Sequence, residues 1–172
     1  MNDVLARWNS LDPDSATREI LPCCGSQAWA EALTAKRPYT NEAALFTASD
    51  TIWLSLPEAA WQQAFDSHPR IGQKHAQNHA TEESLRWSAQ EQRTALSTDA
   101  SAKLALEDAN RRYEQRFGRI FIVCASGKQP AEMLQILERR LLNNPAAELL
   151  EAAGQQRQIM QLRLRKWLGE SA

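Results

Sequence analysis

The sequence predicts an all-α fold, a single-domain helical bundle of about eight helices with one extended connecting segment. Three observations lead there. Apolar residues recur at helical spacing over most of the chain, and caps and breakers punctuate it at short intervals. One stretch alone, Arg119–Ala125, has the β-branched and aromatic make-up of a strand. A lone strand has no neighbour to pair with, so its backbone donors and acceptors would go unmet. The stretch is therefore expected as a buried, extended link between two helices, with amides left over for a ligand.

The elements follow in order. Asp3–Asn9 is short and amphipathic, and Leu11-Asp12-Pro13-Asp14 interrupts it. Pro13 suits the first turn of the next helix, with Asp12 as its cap. Ser26–Leu33 forms a further helix, ended by Pro38. Thr40, with Asn41-Glu42, opens Glu42–Ser55, in which Leu45, Phe46, Ile52 and Trp53 share an apolar side. Pro57 begins a helix through Phe65, and Pro69-Arg70-Ile71-Gly72 breaks it. Thr81 caps the next helix, with two acids in its first turn and Ser84 where a capping box would carry Glu or Gln. Leu85–Leu96 carries charge and glutamine on most faces. Ser97–Phe117 is punctuated by Leu104, Leu106, Tyr113 and Phe117, and Gly118 stops it. Pro130–Asn143 and Ala146–Leu168 close the chain, joined by the turn Asn143-Asn144-Pro145.

Composition narrows the function classes. A chain of 172 residues with 43% hydrophobic and 24% charged residues is built like an ordinary soluble domain with a real core. A formal charge of −1 gives no electrostatic reason to expect nucleic acid or an anionic membrane as partner. A small anion remains possible, since one well-placed Arg suffices for it. No apolar run approaches the roughly 18 residues that span a bilayer, and MNDVLARWNSLDPDSA lacks the apolar core of a signal peptide. Cys23, Cys24 and Cys124 show no CxxC spacing and read as reduced thiols, which points to the cytoplasm. There is no internal repeat, low-complexity tract or linker.

All three histidines fall between positions 68 and 79. His75 and His79, four apart, would share a helix face, but Ala76 stands where a zinc-protease helix carries its Glu. His68 would complete a metal set only if Pro69–Gly72 folded it back. A metal-dependent hydrolase and a plain polar segment both stay open for this pair. His68 differs, because it ends an apolar helix bearing Trp61 and Phe65 and precedes a proline, which pushes it out of helical geometry. An imidazole fixed in this way, titrating near neutral pH, suits a general acid or base. The plainer alternative is a C-terminal histidine favoured by the helix dipole. Ser88, Glu91 and Gln92 fall three and four apart on one helix face, where hydroxyl, carboxylate and amide can orient a polar ligand, although such clusters also mark solvated surface. In Leu162-Arg163-Leu164-Arg165 the leucines are too close for one narrow stripe, so one Arg lies near buried surface and pairs with a carboxylate of protein or ligand.

Taken together, His68-Pro69-Arg70-Ile71-Gly72, Ser88-xx-Glu91-Gln92, Tyr113-xx-Arg116-Phe117-Gly118-xx-Phe121-Ile122-Val123 and Leu162-Arg163-Leu164 resemble the ordered signatures of the OHCU decarboxylase family. Cys23-Cys24-Gly25-Ser26, Trp29 and Arg37-Pro38 are also typical of it. The resemblance implies an all-helical, commonly homodimeric enzyme that needs neither metal nor organic cofactor. It would act on 2-oxo-4-hydroxy-4-carboxy-5-ureidoimidazoline, abbreviated OHCU, in urate breakdown. It implies His68 as proton donor, Glu91 as its acidic partner, and Pro69 as pocket lining. Ser88 and Gln92 would contact the substrate, the backbone of Arg119, Ile120, Phe121, Ile122 and Val123 would bind the ring, and Arg163 would approach the carboxylate. At Arg119-Ile120 many relatives carry an aromatic-proline pair, so only backbone roles carry over there. The rival of another class is an all-helical binding module in which His68 and Glu91 form a buried polar pair.

Overall fold

The structure, a computed structural model, describes residues 2–71, 81–91, 93 and 100–169. The described residues form nine α-helices and no strand: α1 Asp3–Ser10, α2 Pro13–Ile20, α3 Gln27–Ala35, α4 Glu42–Ser55, α5 Glu58–Asp66, α6 Glu82–Glu91, α7 Ala100–Phe117, α8 Pro130–Arg140 and α9 Pro145–Trp167, with a 3-10 turn at Leu21–Cys23. The all-α expectation holds. The chain divides into two compact units, Met1–Ala64 with Arg157–Ala172, and Phe65–Gln156.

Side-chain caps start the helices of the first unit. Asn2, Asp12 and Asn41 each accept a backbone amide of the opening turn, from Val4, Ser15 and Ala44, at 2.9 Å. These bonds satisfy donors that no intrahelical carbonyl reaches. The apolar faces so aligned close on tryptophan. Trp8 is fully buried, donates through Nε1 to the carbonyl of Ala16 at 2.9 Å, and meets Trp167 edge-on at 5.6 Å. Leu5, Trp29, Leu33, Leu45, Trp53 and Met160 are fully buried with it. Burial of each such side chain contributes about 1.5–3 kcal/mol.

In the second unit α7 packs on α8. Ile71, Leu106, Ala109, Tyr113, Phe121, Val123, Met133 and Leu137 form the core. Gly118, at φ +68°, turns the chain out of α7, a conformation that a side chain would strain. Residues 120–125 then run buried, outside any helix or strand.

Boundaries differ where a neighbouring group competes. Pro57 precedes α5 and does not join it, its carbonyl receiving the amides of Ala60 and Trp61. The last helical residue of α8 is Arg140, three before the expected end, because Asn144 accepts the amide of Ala147 and so caps α9. The expected helical stretches over 94–96 and 97–99 lie outside the described residues.

Candidate active site

The end of α5 positions His68. Its amide donates to the carbonyl of Phe65 at 3.1 Å, one last tight turn before Pro69 forbids further helix. Downstream the chain is held twice. The Arg70 guanidinium forks onto Glu114 of α7 at 2.5 and 2.7 Å, and Ile71 inserts into the core. The imidazole is therefore fixed by its backbone on both sides. The residue is only 7% exposed, and Nε2 lies 2.7 Å from Oε1 of the fully buried Gln156 on α9. An amide oxygen only accepts, so Nε2 carries a hydrogen and donates it.

The buried stripe of α6 is polar. Ser84 and Ser88 are 2% and 1% exposed, Glu91 is half-buried one turn on, and Leu85 and Trp87 are no better than half-buried. Spacings of four and three put these groups on one face. Thr81 anchors the helix, accepting the amide of Ser84 at 3.1 Å. Gln92 lies outside the described residues.

Side chains fix the extended segment. Arg140 Nη1 donates to the carbonyl of Ile122 at 2.6 Å, Gln155 Oε1 accepts the amide of Cys124 at 2.9 Å, and Lys128 Nζ donates to the carbonyl of Cys124 at 2.9 Å. The amide of Cys124 is thus committed. Among the described residues no acceptor takes the amides of Ile120, Phe121, Ile122 or Val123, all four residues being buried. Arg119 is half-buried, its Nε and Nη1 within the protein. Behind the segment lies a polar network. Arg140, 1% exposed, reaches Glu148 through Nε and Nη2 at 2.8 and 2.5 Å, and its guanidinium sits 4.7 Å from the ring centre of Phe121. The Tyr113 hydroxyl donates to Glu148 Oε1, and Asn143 donates to Oε2 at 2.8 Å. Both oxygens of this buried carboxylate meet donors, as burial of charge requires.

Arg163 belongs to the first unit. It is fully buried, and Nη1 donates to the carbonyl of Pro22 at 3.3 Å. Of the two neighbouring arginines it is the one that turns inward, while Arg165 lies exposed over the ring of Phe46. Burial pushes the Cys24 thiol up to about 12, against the smaller pull of the Arg163 charge, so Cys24 stays protonated.

Two open grooves hold none of the expected catalytic pair. One in the first unit, about 910 Å³, is lined by Asp14, Arg18, Glu31 and Arg37 among others. One in the second, about 520 Å³, runs past Arg70, Glu107, Arg111 and Glu114. Among the described residues no three His, Cys, Asp or Glu side chains gather as metal ligands, and His75 and His79 lie outside those residues. No helix among them is long and apolar enough to cross a membrane.

The family model for OHCU decarboxylase matches residues 9–165. The chain belongs to the OHCU decarboxylase family. Among relatives, the uric acid degradation bifunctional protein TTL of Arabidopsis thaliana is 38% identical over 151 residues, 87% of this chain and 46% of that protein. The 2-oxo-4-hydroxy-4-carboxy-5-ureidoimidazoline decarboxylase of Mus musculus is 34% identical over 116 residues, 67% of this chain and 64% of that one. The chain thus spans less than two thirds of the length of these two relatives. A crystallised OHCU decarboxylase, in the presence of (S)-allantoin, superposes with a TM-score of 0.74 at 38% identity, covering 88% of this chain and 98% of that one.

Seen as an OHCU decarboxylase family member, the second unit holds more than its sequence signatures named. Gln155, Gln156, Arg140 and Glu148 were not singled out. A signal existed in Ala152-Ala153-Gly154-Gln155-Gln156, where two amides interrupt a run of small residues.

Proposed function

We propose that this chain is a carboxy-lyase that converts OHCU to (S)-allantoin in urate breakdown, without metal or organic cofactor. The observation that carries the reading is the His68 imidazole, buried, clamped by its backbone and held by an amide, in a member of this family. The names of the mouse and Arabidopsis relatives support the substrate and the pathway.

The chemistry asks three things of the protein. The C–CO2⁻ bond breaks, CO2 leaves, and the electron pair enters the adjacent C=N/C=O system of the ring, which serves as the sink. A proton then quenches one carbon face, giving one enantiomer. Buried amides of Ile120, Phe121, Ile122 and Val123 without a described acceptor suit the developing ring charge. Delivery of the proton falls to His68, with Glu91 favouring its charged form. Pro69, Ser88, Gln92 and the backbone of Arg119 are assigned to substrate contact, and Arg163 to the carboxylate, on the family resemblance. On the same ground the whole chain is taken as one functional domain, acting as a cytoplasmic homodimer.

The test adds freshly generated OHCU and follows the circular dichroism of allantoin. Wild-type protein should form optically active allantoin faster than the spontaneous reaction. His68→Asn should lose about 10² to 10⁴ in kcat while melting like wild type. Racemic allantoin at the spontaneous rate with wild-type protein, or wild-type turnover by His68→Asn, ends this reading.

A further inference from the structure

We infer that Gln156 is the positioning residue of the catalytic imidazole, holding His68 in its Nε2–H form so that the proton is gained and lost at Nδ1. The inference rests on the decarboxylase reading and adds to it a residue and a ring atom. Gln156 is fully buried and His68 nearly so, and the 2.7 Å contact joins positions 88 apart in sequence. A buried amide and a buried imidazole each cost free energy unless bonded, so each constrains the other. The preceding residue, Gln155, accepts the amide of Cys124 in the extended segment. Two consecutive amides of α9 therefore brace both the imidazole and the backbone run proposed to bind the ring.

The consequence for proton transfer is specific. An amide oxygen can accept from Nε2–H whether the ring is neutral or charged, so the bond survives the whole cycle. The imidazolium gives its Nδ1 proton to the ureido-bearing ring carbon beside the one that lost CO2, which leaves the imidazole in the neutral Nε2–H form. The hydroxyl on the carbon that lost CO2 releases its proton as it becomes the ring carbonyl, and that proton returns to Nδ1 through water. The imidazole need not rotate or exchange tautomers between turnovers.

The experiment uses the full chain with His75→Gln and His79→Gln, so that His68 is the one histidine, labelled with ¹⁵N. The parent should show an exchange-protected ring N–H resonance assigned to Nε2. Gln156→Met, similar in volume but offering only a weak thioether acceptor, should lose that resonance. Its kcat should fall about 10- to 100-fold, the range seen when an orienting partner of a functional imidazole is removed, with KM near the parent's. Gln156→Glu keeps an acceptor and should retain the resonance and most of kcat. Persistence of the protected Nε2–H signal in Gln156→Met, or unchanged kcat there, overturns the inference. Should Gln156→Met not fold, loss of the signal in a folded Gln156→Glu overturns it equally. A parent that fails to turn over OHCU overturns the functional reading instead, and the two failures are separable because the resonance is read without substrate.

Discussion

The two units of this chain bury different things. In the first, tryptophan and aliphatic side chains make up most of the interior, with Thr17, Ser26, Thr34, Ser49 and Arg163 buried among them. In the second, His68, Ser84, Ser88, Arg140, Glu148 and Gln156 are all buried, and His68, Arg140 and Glu148 each have a described partner well separated in sequence, Gln156, Ile122 and Tyr113 respectively. Apolar burial is non-directional and tolerates small shifts, whereas a buried hydrogen-bond network is satisfied in one geometry only. A chain that needs a fixed imidazole and a fixed run of amides gains from the second kind of interior. A buried ion pair adds little net stability over an apolar replacement, so its worth here lies in the position it imposes on the carbonyl of Ile122.

The largest expected effect tests that contrast directly. Arg140→Leu leaves the Glu148 carboxylate buried with only Tyr113 and Asn143 as described donors, and removes the bond to the carbonyl of Ile122. Urea denaturation should show a loss of about 3–5 kcal/mol, and kcat per folded molecule should fall as the extended segment loosens. The matched perturbation in the first unit is Leu33→Ala, at a fully buried position. It should lose about 2–5 kcal/mol through transfer and cavity terms, yet leave kcat per folded molecule near wild type. Equal damage to kcat from both substitutions would erase the distinction between the two interiors.

What was legible in the sequence divides along the same line. Asp12 as a cap, Thr81 as a cap and Gly118 as a stop all act within four residues of themselves, and each does so in the structure. The isolation of Arg119–Ala125 was also legible, because the lack of a second strand is a property of the whole sequence. Its actual partners were not. Arg140 reaches back 18 positions to Ile122, Tyr113 reaches 35 to Glu148, and His68 reaches 88 to Gln156. No local periodicity encodes such pairs, since their geometry exists only after the helices have packed. Leucine spacing pointed to one inward arginine in Leu162–Arg165 without saying which, and the Pro22 carbonyl that the buried Arg163 meets lies 141 positions away and was not read.

The chain has two tyrosines, one in each unit, and they offer a comparison that leaves neutral-pH behaviour untouched. Tyr39 donates to the carbonyl of Leu33 at 2.9 Å, and burial pushes its phenol up to about 12, with the Arg37 charge opposing. Tyr113 is raised by burial first and then by its bond to the Glu148 carboxylate, against the pull of Arg140. In each case the folded value lies above the unfolded one, near 10. Their stabilisation is therefore complete below pH 10 and drains away as pH rises, because the unfolded chain ionises first. Titration at the tyrosinate absorbance should show no phenol ionising at its ordinary value in folded protein. Tyr39→Phe should remove the step near pH 12 and leave the Tyr113 step in place. If Tyr113 instead ionised near pH 10 in folded protein, it would be solvated and away from Glu148, and the polar interior ascribed to the second unit would be missing its central carboxylate.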